Sequence, residues 1–315
     1  MDKNMYATIT GAPMGFEAFV EAMRERLQDR YPDCKIRVGH ADKNNGVHLT
    51  GIVILPEGQN AAPNIYMESF YSDYLAGRRM EDLTDAAARF YEGNKLQEDF
   101  TLPDMTDFEA VKDLICFRPV NGERNREKLK SMPHRDFLDL AVIYFVPVTV
   151  DRRKNGSITI KDQLFRLWQT DEETVYQYAL ENTRRLYPAT LQSMEDVIRE
   201  MMGDDAPAGL FSEKNGVPAI PLYILRCYRG DMSSAAAMLY GDILREFGRQ
   251  HGNFYILPSS IYEVLLMPAG PGPADASFVC PMVRDVNRTQ VDPVEVLSDN
   301  AYFYHADTGV IDILE

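Results

Sequence analysis

Basic residues are scarce in this sequence, and their scarcity restricts the possible partners. The 315 residues include 33 Lys and Arg against 48 Asp and Glu, which gives a net charge of −15. Nucleic-acid affinity rests on cationic neutralisation of phosphates, so we expect no direct binding to DNA or RNA. The acidity serves solubility by default. It also leaves open an acidic nucleic-acid mimic that occupies a basic groove, provided that the carboxylates lie on one face.

Cysteines are few, and none of them forms a recognisable motif. No CxxC spacing occurs, so neither a zinc ribbon nor a redox dithiol is indicated. Each cysteine is expected to be a small buried apolar residue. The four positions are Cys34, Cys116, Cys227 and Cys280.

Long apolar runs are also missing. The first residues lack the apolar stretch of a signal peptide. The longest candidate span, 137–150, is interrupted by Asp139 and Pro147 and falls short of the roughly 20 apolar residues that a membrane helix needs. We therefore expect a cytoplasmic protein that does not enter a membrane.

The residues that are present predict an α+β fold, with a mixed, mainly antiparallel sheet and several packed helices. Apolar residues recur at helical spacing over 16–30, and Asn45-Gly46 predicts a hairpin turn. The almost continuously apolar segment 137–148 predicts a buried central strand. We expect two α+β subdomains, residues 1–135 and 136–315, or a single domain.

Further along the chain, helical spacing predicts several more helices. They cover 80–91, 107–113, 171–185, 190–202, 233–247 and 274–287, the last with an interruption at Pro281.

Familiar catalytic and nucleotide-binding motifs are absent. His134-Arg135-Asp136 spells the kinase catalytic tripeptide, but the Gly-rich loop, strand lysine and DFG are missing. Neither GxxxxGK[ST] nor GxGxxG occurs. His40, Asp42 and His48 flank the first hairpin, but their spacing fixes no third strong metal ligand. We expect no cofactor and no metal.

Asn182 is the most informative single residue. It lies seven residues after Val175, on the apolar face of the helix predicted over 171–185. A buried amide without a hydrogen bond costs about 1–3 kcal/mol. Asn182 is therefore expected either to bond neighbouring backbone or to face a pocket.

A second candidate set comes from separate segments. Ser259 and Ser260 follow a predicted strand, and Glu263 and Asn287 complete a polar group that would include Asn182. In an enzyme of unrecognised type, such as a hydrolase, Ser260 would be the nucleophile and Glu263 the base. Ser260 and Glu263 also have the spacing of a helix capping box or turn, which is the structural alternative.

Several segments together resemble an uncharacterised family found in gut clostridia and related Firmicutes. The segments that carry the resemblance are Lys43–Ile52, Ile65–Gly77, Pro133–Ala141, Glu181–Thr183, Ser193-Met194, Tyr255–Val264, Met282–Asn287 and Glu295–Asp299. Tyr262 stands where the family pattern has a histidine, and Asp136 where it has a basic or apolar residue. The resemblance implies no established activity.

Two function classes are therefore weighed, apart from the acidic mimic. A non-enzymatic interaction or regulatory protein is favoured, with another protein as partner, because catalytic signatures are missing and Tyr66–Tyr74 is rich in tyrosine. Core packing explains those tyrosines equally well. The alternative is the hydrolase, with Asn182, Ser259 and Asn287 binding its ligand.

Overall fold

The computed structural model describes residues 13–59, 62–95, 102–149, 155–203, 221–230, 232–270 and 275–314. These residues divide into two compact units. The first lies within Met1–Lys43 and His48–Phe100, and the second within Asn44–Val47 and Thr101–Glu315. The subdomain boundary expected at residues 135/136 falls inside a strand of the second unit, His134–Phe137.

The first unit combines a small antiparallel sheet with helices. Its elements are α1 (Phe16–Arg30), β1 (Cys34–Asp42), β2 (His48–Pro56), β3 (Asn64–Tyr66), α2 (Met67–Leu75) and α3 (Met80–Asn94). The strand order is β1-β2-β3. Ile52 and Ile54 alternate with more accessible residues along β2 and are fully buried, as expected for a sheet with one covered face. The helices supply the other side of this core, with Phe19, Met23 and Leu27 from α1 and Leu83 and Ala87 from α3.

The tyrosine-rich segment forms helix α2. The Tyr71 and Tyr74 rings both lie 5.3 Å from the Phe19 ring, between centroids. Their hydroxyls bond the Met14 backbone: Tyr71 donates to its carbonyl oxygen, and Tyr74 accepts from its N–H. These two tyrosines thus serve the packing of the first unit, the second of the two roles expected for them.

The second unit contains a smaller and a larger sheet. The smaller has the order β4-β6-β5, with β7 also beside β6. The elements of this half are α4 (Phe108–Val111), β4 (Cys116–Asn121), α5 (Arg126–Leu129), β5 (His134–Phe137), β6 (Leu140–Thr149), β7 (Asn155–Thr159), α6 (Asp162–Trp168) and α7 (Glu172–Leu186). The central strand expected over 137–148 is thus β6, which begins at Leu140 because a tight turn separates it from β5.

The larger sheet follows in the chain. Its order is β10-β9-β12-β11-β13-β14, with β8 also beside β9. The elements are β8 (Ala189–Ser193), α8 (Met194–Met202), β9 (Tyr223–Arg229), β10 (Met232–Ser234), α9 (Gly241–His251), β11 (Phe254–Leu257), β12 (Val264–Pro268), α10 (Ala276–Thr289), β13 (Ala301–Tyr304) and β14 (Ile311–Leu314). One continuous core spans both sheets and α7.

The predicted α+β class is confirmed, and the sheet is more uniform than expected. All strand pairings in the described chain are antiparallel, so the expected mixed sheet is replaced by separate antiparallel sheets. Among the described residues, no helix is both long enough and apolar enough to cross a bilayer.

We expect Gly122→Ala to destabilise the second unit by about 1–3 kcal/mol, the usual cost of overpacking. A Cβ at this position would lie 2.8 Å from the Asp139 carbonyl oxygen, which accepts a hydrogen bond from the Gly122 N–H. Urea unfolding followed by circular dichroism measures the loss. Gly241→Ala is the control, because no heavy atom lies within 4 Å of its new Cβ. Equal stability of the two variants would contradict the prediction.

Candidate functional site

Asn182 is buried on α7 with all its hydrogen-bonding groups engaged. Its Nδ2 donates to the carbonyl oxygens of Lys112 (2.7 Å) and Ile115 (3.0 Å), and its Oδ1 accepts from Arg185 (2.9 Å). The side chain is only 4% exposed. Of the two arrangements expected for this amide, the structure has the backbone-bonded one, which fastens α7 to the turn before β4.

Ser260 lies in a turn that precedes β12. Its hydroxyl accepts a hydrogen bond from the Tyr262 N–H (3.1 Å), and its backbone forms a bridge with Val296. Glu263 instead forms an ion pair with Arg226 (3.3 Å). Because a strand follows at Val264, the serine stabilises a turn and not a helix start. No hydrogen bond between described residues joins the Ser260 hydroxyl to the Glu263 carboxylate.

Asn287 and Ser259 both contact the segment 297–299. The Ser259 carbonyl oxygen accepts from the Leu297 N–H (3.2 Å). Asn287 Nδ2 donates to the Ser298 carbonyl oxygen and to Asp299 Oδ1, both at 2.8 Å. The buried Asn287 Oδ1 has no hydrogen-bond partner among described atoms. The structure therefore brings Ser259 and Asn287 to one segment, while Asn182 bonds residues 112 and 115 elsewhere in the same unit.

This segment is anchored on Asp139. The fully buried Ser298 hydroxyl donates to Asp139 Oδ2 (2.6 Å), and Asn300 Nδ2 donates to the same oxygen (3.1 Å). The Tyr302 hydroxyl donates to Asp139 Oδ1. Burial, together with the adjacent carboxylate, raises the pKa of Tyr302 well above its ordinary value, so this phenol stays a donor. The cluster holds strand β13 against the turn between β5 and β6.

Asparagine side chains connect the segment 297–299 to further hydrogen bonds that reach residues 44–47, which belong to the second unit. Asn121 Nδ2 donates to the Leu297 carbonyl oxygen (2.9 Å), and Asn125 Nδ2 donates to Asn45 Oδ1 (3.0 Å). The Asn45 N–H in turn donates to Asn125 Oδ1 (2.9 Å). These contacts satisfy polar groups of irregular backbone that regular structure leaves unpaired. These hydrogen bonds therefore stabilise the fold.

Arg135, the middle residue of the His-Arg-Asp tripeptide, forms ion pairs. Its guanidinium contacts Glu172 (2.8 Å) and Glu173, and it lies 3.8 Å from the centroid of the Tyr176 ring. The hydrogen bond to Glu172 is the main cause that raises the pKa of Arg135. The tripeptide therefore ties β5 to the first turn of α7.

Arg118 on β4 is the residue that the sequence analysis missed. It lies opposite Ile143 of β6, and its side chain reaches across that strand to β7. Nη1 donates to the Ser157 hydroxyl and Nη2 to the Thr159 hydroxyl, both at the long distance of 3.4 Å. The guanidinium lies 4.9 Å from the centroid of the Phe145 ring. No acidic side chain in the described chain pairs with it.

The surroundings of Arg118 are aromatic and cationic. Burial lowers the pKa of its guanidinium, because the charged form is poorly solvated there. The Tyr187 ring packs edge-on against Phe145, 6.1 Å between centroids. Burial raises the pKa of Tyr187 to about 12, and the positive charges of Arg229 and Arg118 oppose that rise. Tyr262, which is 41% exposed, also interacts electrostatically with Arg118.

Tyr262 connects this surface to the segment predicted from sequence. Its hydroxyl donates to Glu295 (3.1 Å), and its carbonyl oxygen accepts from the Ser233 hydroxyl (2.9 Å). The segment 259–263 thus lies close to Arg118, although its serines do not contact the guanidinium. The available signal was an arginine inside the apolar run 114–120. A single strand cannot reveal whether such an arginine has a carboxylate across the sheet.

We call the guanidinium of Arg118, the hydroxyls of Ser157 and Thr159, and the ring of Phe145 the Arg118 site. It offers hydrogen-bond donors and a positive charge, a combination that suits an anion. Across the described residues, no group of three or more His, Cys, Asp or Glu side chains is arranged to hold a metal ion.

Comparison with known proteins gives one match. A family model described as a family of unknown function (DUF5688) matches residues 16–306, which confirms the family resemblance seen in the sequence motifs. Neither the curated proteins nor the solved structures include a match to the chain.

We expect Asn182→Ala to lower the free energy of unfolding by about 1–3 kcal/mol, because two backbone carbonyls lose their donor. Chemical unfolding measures the change. Gln177→Ala on the exposed face of the same helix is the control and should cost much less. Unchanged stability of Asn182→Ala would argue against the structural role.

We expect Arg135→Met to lower the free energy of unfolding and Arg118→Met not to lower it. Arg118→Met removes a poorly solvated charge without a carboxylate and should keep or raise the free energy of unfolding, by up to about 1 kcal/mol. Arg135→Met leaves Glu172 and Glu173 without their cation and should lower it by about 1–2 kcal/mol. Thermal and urea unfolding of both variants measure the contrast. A loss of stability in Arg118→Met equal to that in Arg135→Met would mean that Arg118 is structural.

Proposed function

Since the chain belongs to the family of unknown function DUF5688, we propose its function from its own residues: it is a non-enzymatic interaction or regulatory protein of the cytoplasm that binds an anionic group at the Arg118 site. The partner that carries this group is a small acid or another protein.

The observation that carries the proposal is the positive charge of Arg118, for which no described residue supplies a carboxylate. Arginine stays protonated in proteins, so this partly buried group cannot avoid the cost of desolvation by losing its proton. Its two hydroxyl partners are neutral and distant, at 3.4 Å. A bound anion would supply the compensation that the described chain lacks.

The contacts of the expected catalytic residues favour binding over catalysis. The Ser260 hydroxyl holds the Tyr262 N–H, while the Glu263 carboxylate holds Arg226. A nucleophile needs its base within hydrogen-bond reach. The hydrolase alternative therefore has less support.

The acidic nucleic-acid mimic also has less support. Many exposed carboxylates pair with a cation on their own helix, as Glu21 does with Arg24 and Glu246 with Arg249. Such pairs reduce the negative charge that a mimic would present to a basic groove.

We expect at least one simple anion to stabilise the protein through Arg118. Acetate, sulfate and inorganic phosphate are compared with chloride at matched ionic strength by thermal unfolding. At an anion concentration ten times Kd, the stabilisation is about 1.4 kcal/mol. Arg118→Met should abolish it, because the charged donor is lost.

Arg288→Gln is the matched control for this experiment. It removes one positive charge from an exposed side chain that pairs with Asp285 on its own helix, so the anion effect should persist. Equal anion effects in the wild type and in Arg118→Met, or none in either, would contradict the proposed function.

A further inference from the structure

The lining of the Arg118 site consists of donors and of an apolar ring. Ser157 and Thr159 each use an oxygen lone pair to accept from the guanidinium, which leaves their hydroxyl protons to donate outward. The guanidinium contributes further N–H groups. No described carboxylate or amide oxygen joins this set. The site therefore favours a ligand group that accepts hydrogen bonds.

The shape of the site favours a planar acceptor. The Phe145 ring occupies one side of the guanidinium, 4.9 Å from its central carbon. The N–H groups lie in the plane of the guanidinium, so a ligand that accepts from them approaches along its edge, where two parallel N–H groups match the two oxygens of a carboxylate. A tetrahedral anion places oxygens outside that plane, toward the ring.

The charge around the site disfavours a doubly charged ligand. The chain carries a net charge of −15, and Glu295 accepts the hydrogen bond from nearby Tyr262. This negative field repels a dianion more strongly than a monoanion. Arg229 adds positive charge beside Tyr187 but belongs to a different strand, β9.

We infer that the anionic group bound at the Arg118 site is a carboxylate, held edge-on by the guanidinium and by the hydroxyls of Ser157 and Thr159. This inference rests on the proposed function and names its ligand class. The carboxylate belongs to a free organic acid or to the carboxyl end of a peptide.

Titration calorimetry and NMR shifts of the wild-type protein test the inference with three probes. Acetate is a planar monoanion, methanesulfonate a tetrahedral monoanion, and inorganic phosphate is largely a dianion at the mildly alkaline pH used for all three. We expect acetate to bind more tightly than both. Tighter binding of methanesulfonate or phosphate through Arg118 would overturn the carboxylate assignment while leaving the proposed function intact. Failure of every anion to bind would overturn both.

Two variants test the geometry directly. Arg118→Lys keeps the charge but loses the paired N–H groups, so acetate affinity should fall by about tenfold. Unchanged affinity would overturn edge-on binding. Ser157→Asp places a carboxylate beside the guanidinium and should abolish acetate binding while raising the melting temperature. Retained acetate binding in Ser157→Asp would also count against the inference.

Binding experiments with short peptides distinguish the two sources of the carboxylate. An N-acetylated tetra-alanine with a free carboxyl end is compared with its amidated form and with acetate. Binding of the free form that exceeds acetate, with no binding of the amide, assigns a peptide end. Equal binding of the free form and acetate assigns a free acid. Binding of the amidated peptide as tight as that of the free peptide would overturn the carboxylate assignment.

Discussion

The fold of the second unit depends on side-chain amides that bond backbone carbonyls outside regular structure. A buried carbonyl or N–H that lacks a partner costs about as much as a lost hydrogen bond. Asn182 meets this requirement for the turn before β4, and Asn121 and Asn287 meet it for the segment 297–299. Asparagine suits the task because its amide presents both donors and an acceptor on a short side chain. The strands and helices can then be packed while the turns between them stay buried and satisfied.

Local sequence pattern accounts for much of the fold. The helix predicted over 16–30 has those bounds in the structure, and the one predicted over 171–185 occupies Glu172–Leu186. In both, apolar residues at helical spacing form the buried face. The predicted interruption at Pro281 is wrong, because α10 continues through it to Thr289.

The errors occur where sheet pairing overrides helical spacing. The predicted helix over 190–202 is in part strand β8, because Ala189–Ser193 pairs with β9, and the helix begins only at Met194. The predicted helix over 233–247 begins as strand β10 and a short 3-10 helix before α9. The pairing of β8 with β9 joins residues 30 to 38 positions apart and so leaves no local signal in the sequence.

The candidate site illustrates the same limit for function. Asn182 was identifiable because a polar residue on the apolar face of a predicted helix stands out in the local sequence. Arg118 was not identifiable from the sequence, because the role of a charged residue on a strand depends on which side chains lie two strands away in the sheet. Ser157 and Thr159 occupy that place, and an acidic residue at either position would make Arg118 an ordinary ion pair. In a chain with 48 Asp and Glu, both of these neighbours are neutral, and no carboxylate among the described residues compensates the guanidinium charge. The hydroxyls therefore define the site as much as the arginine does.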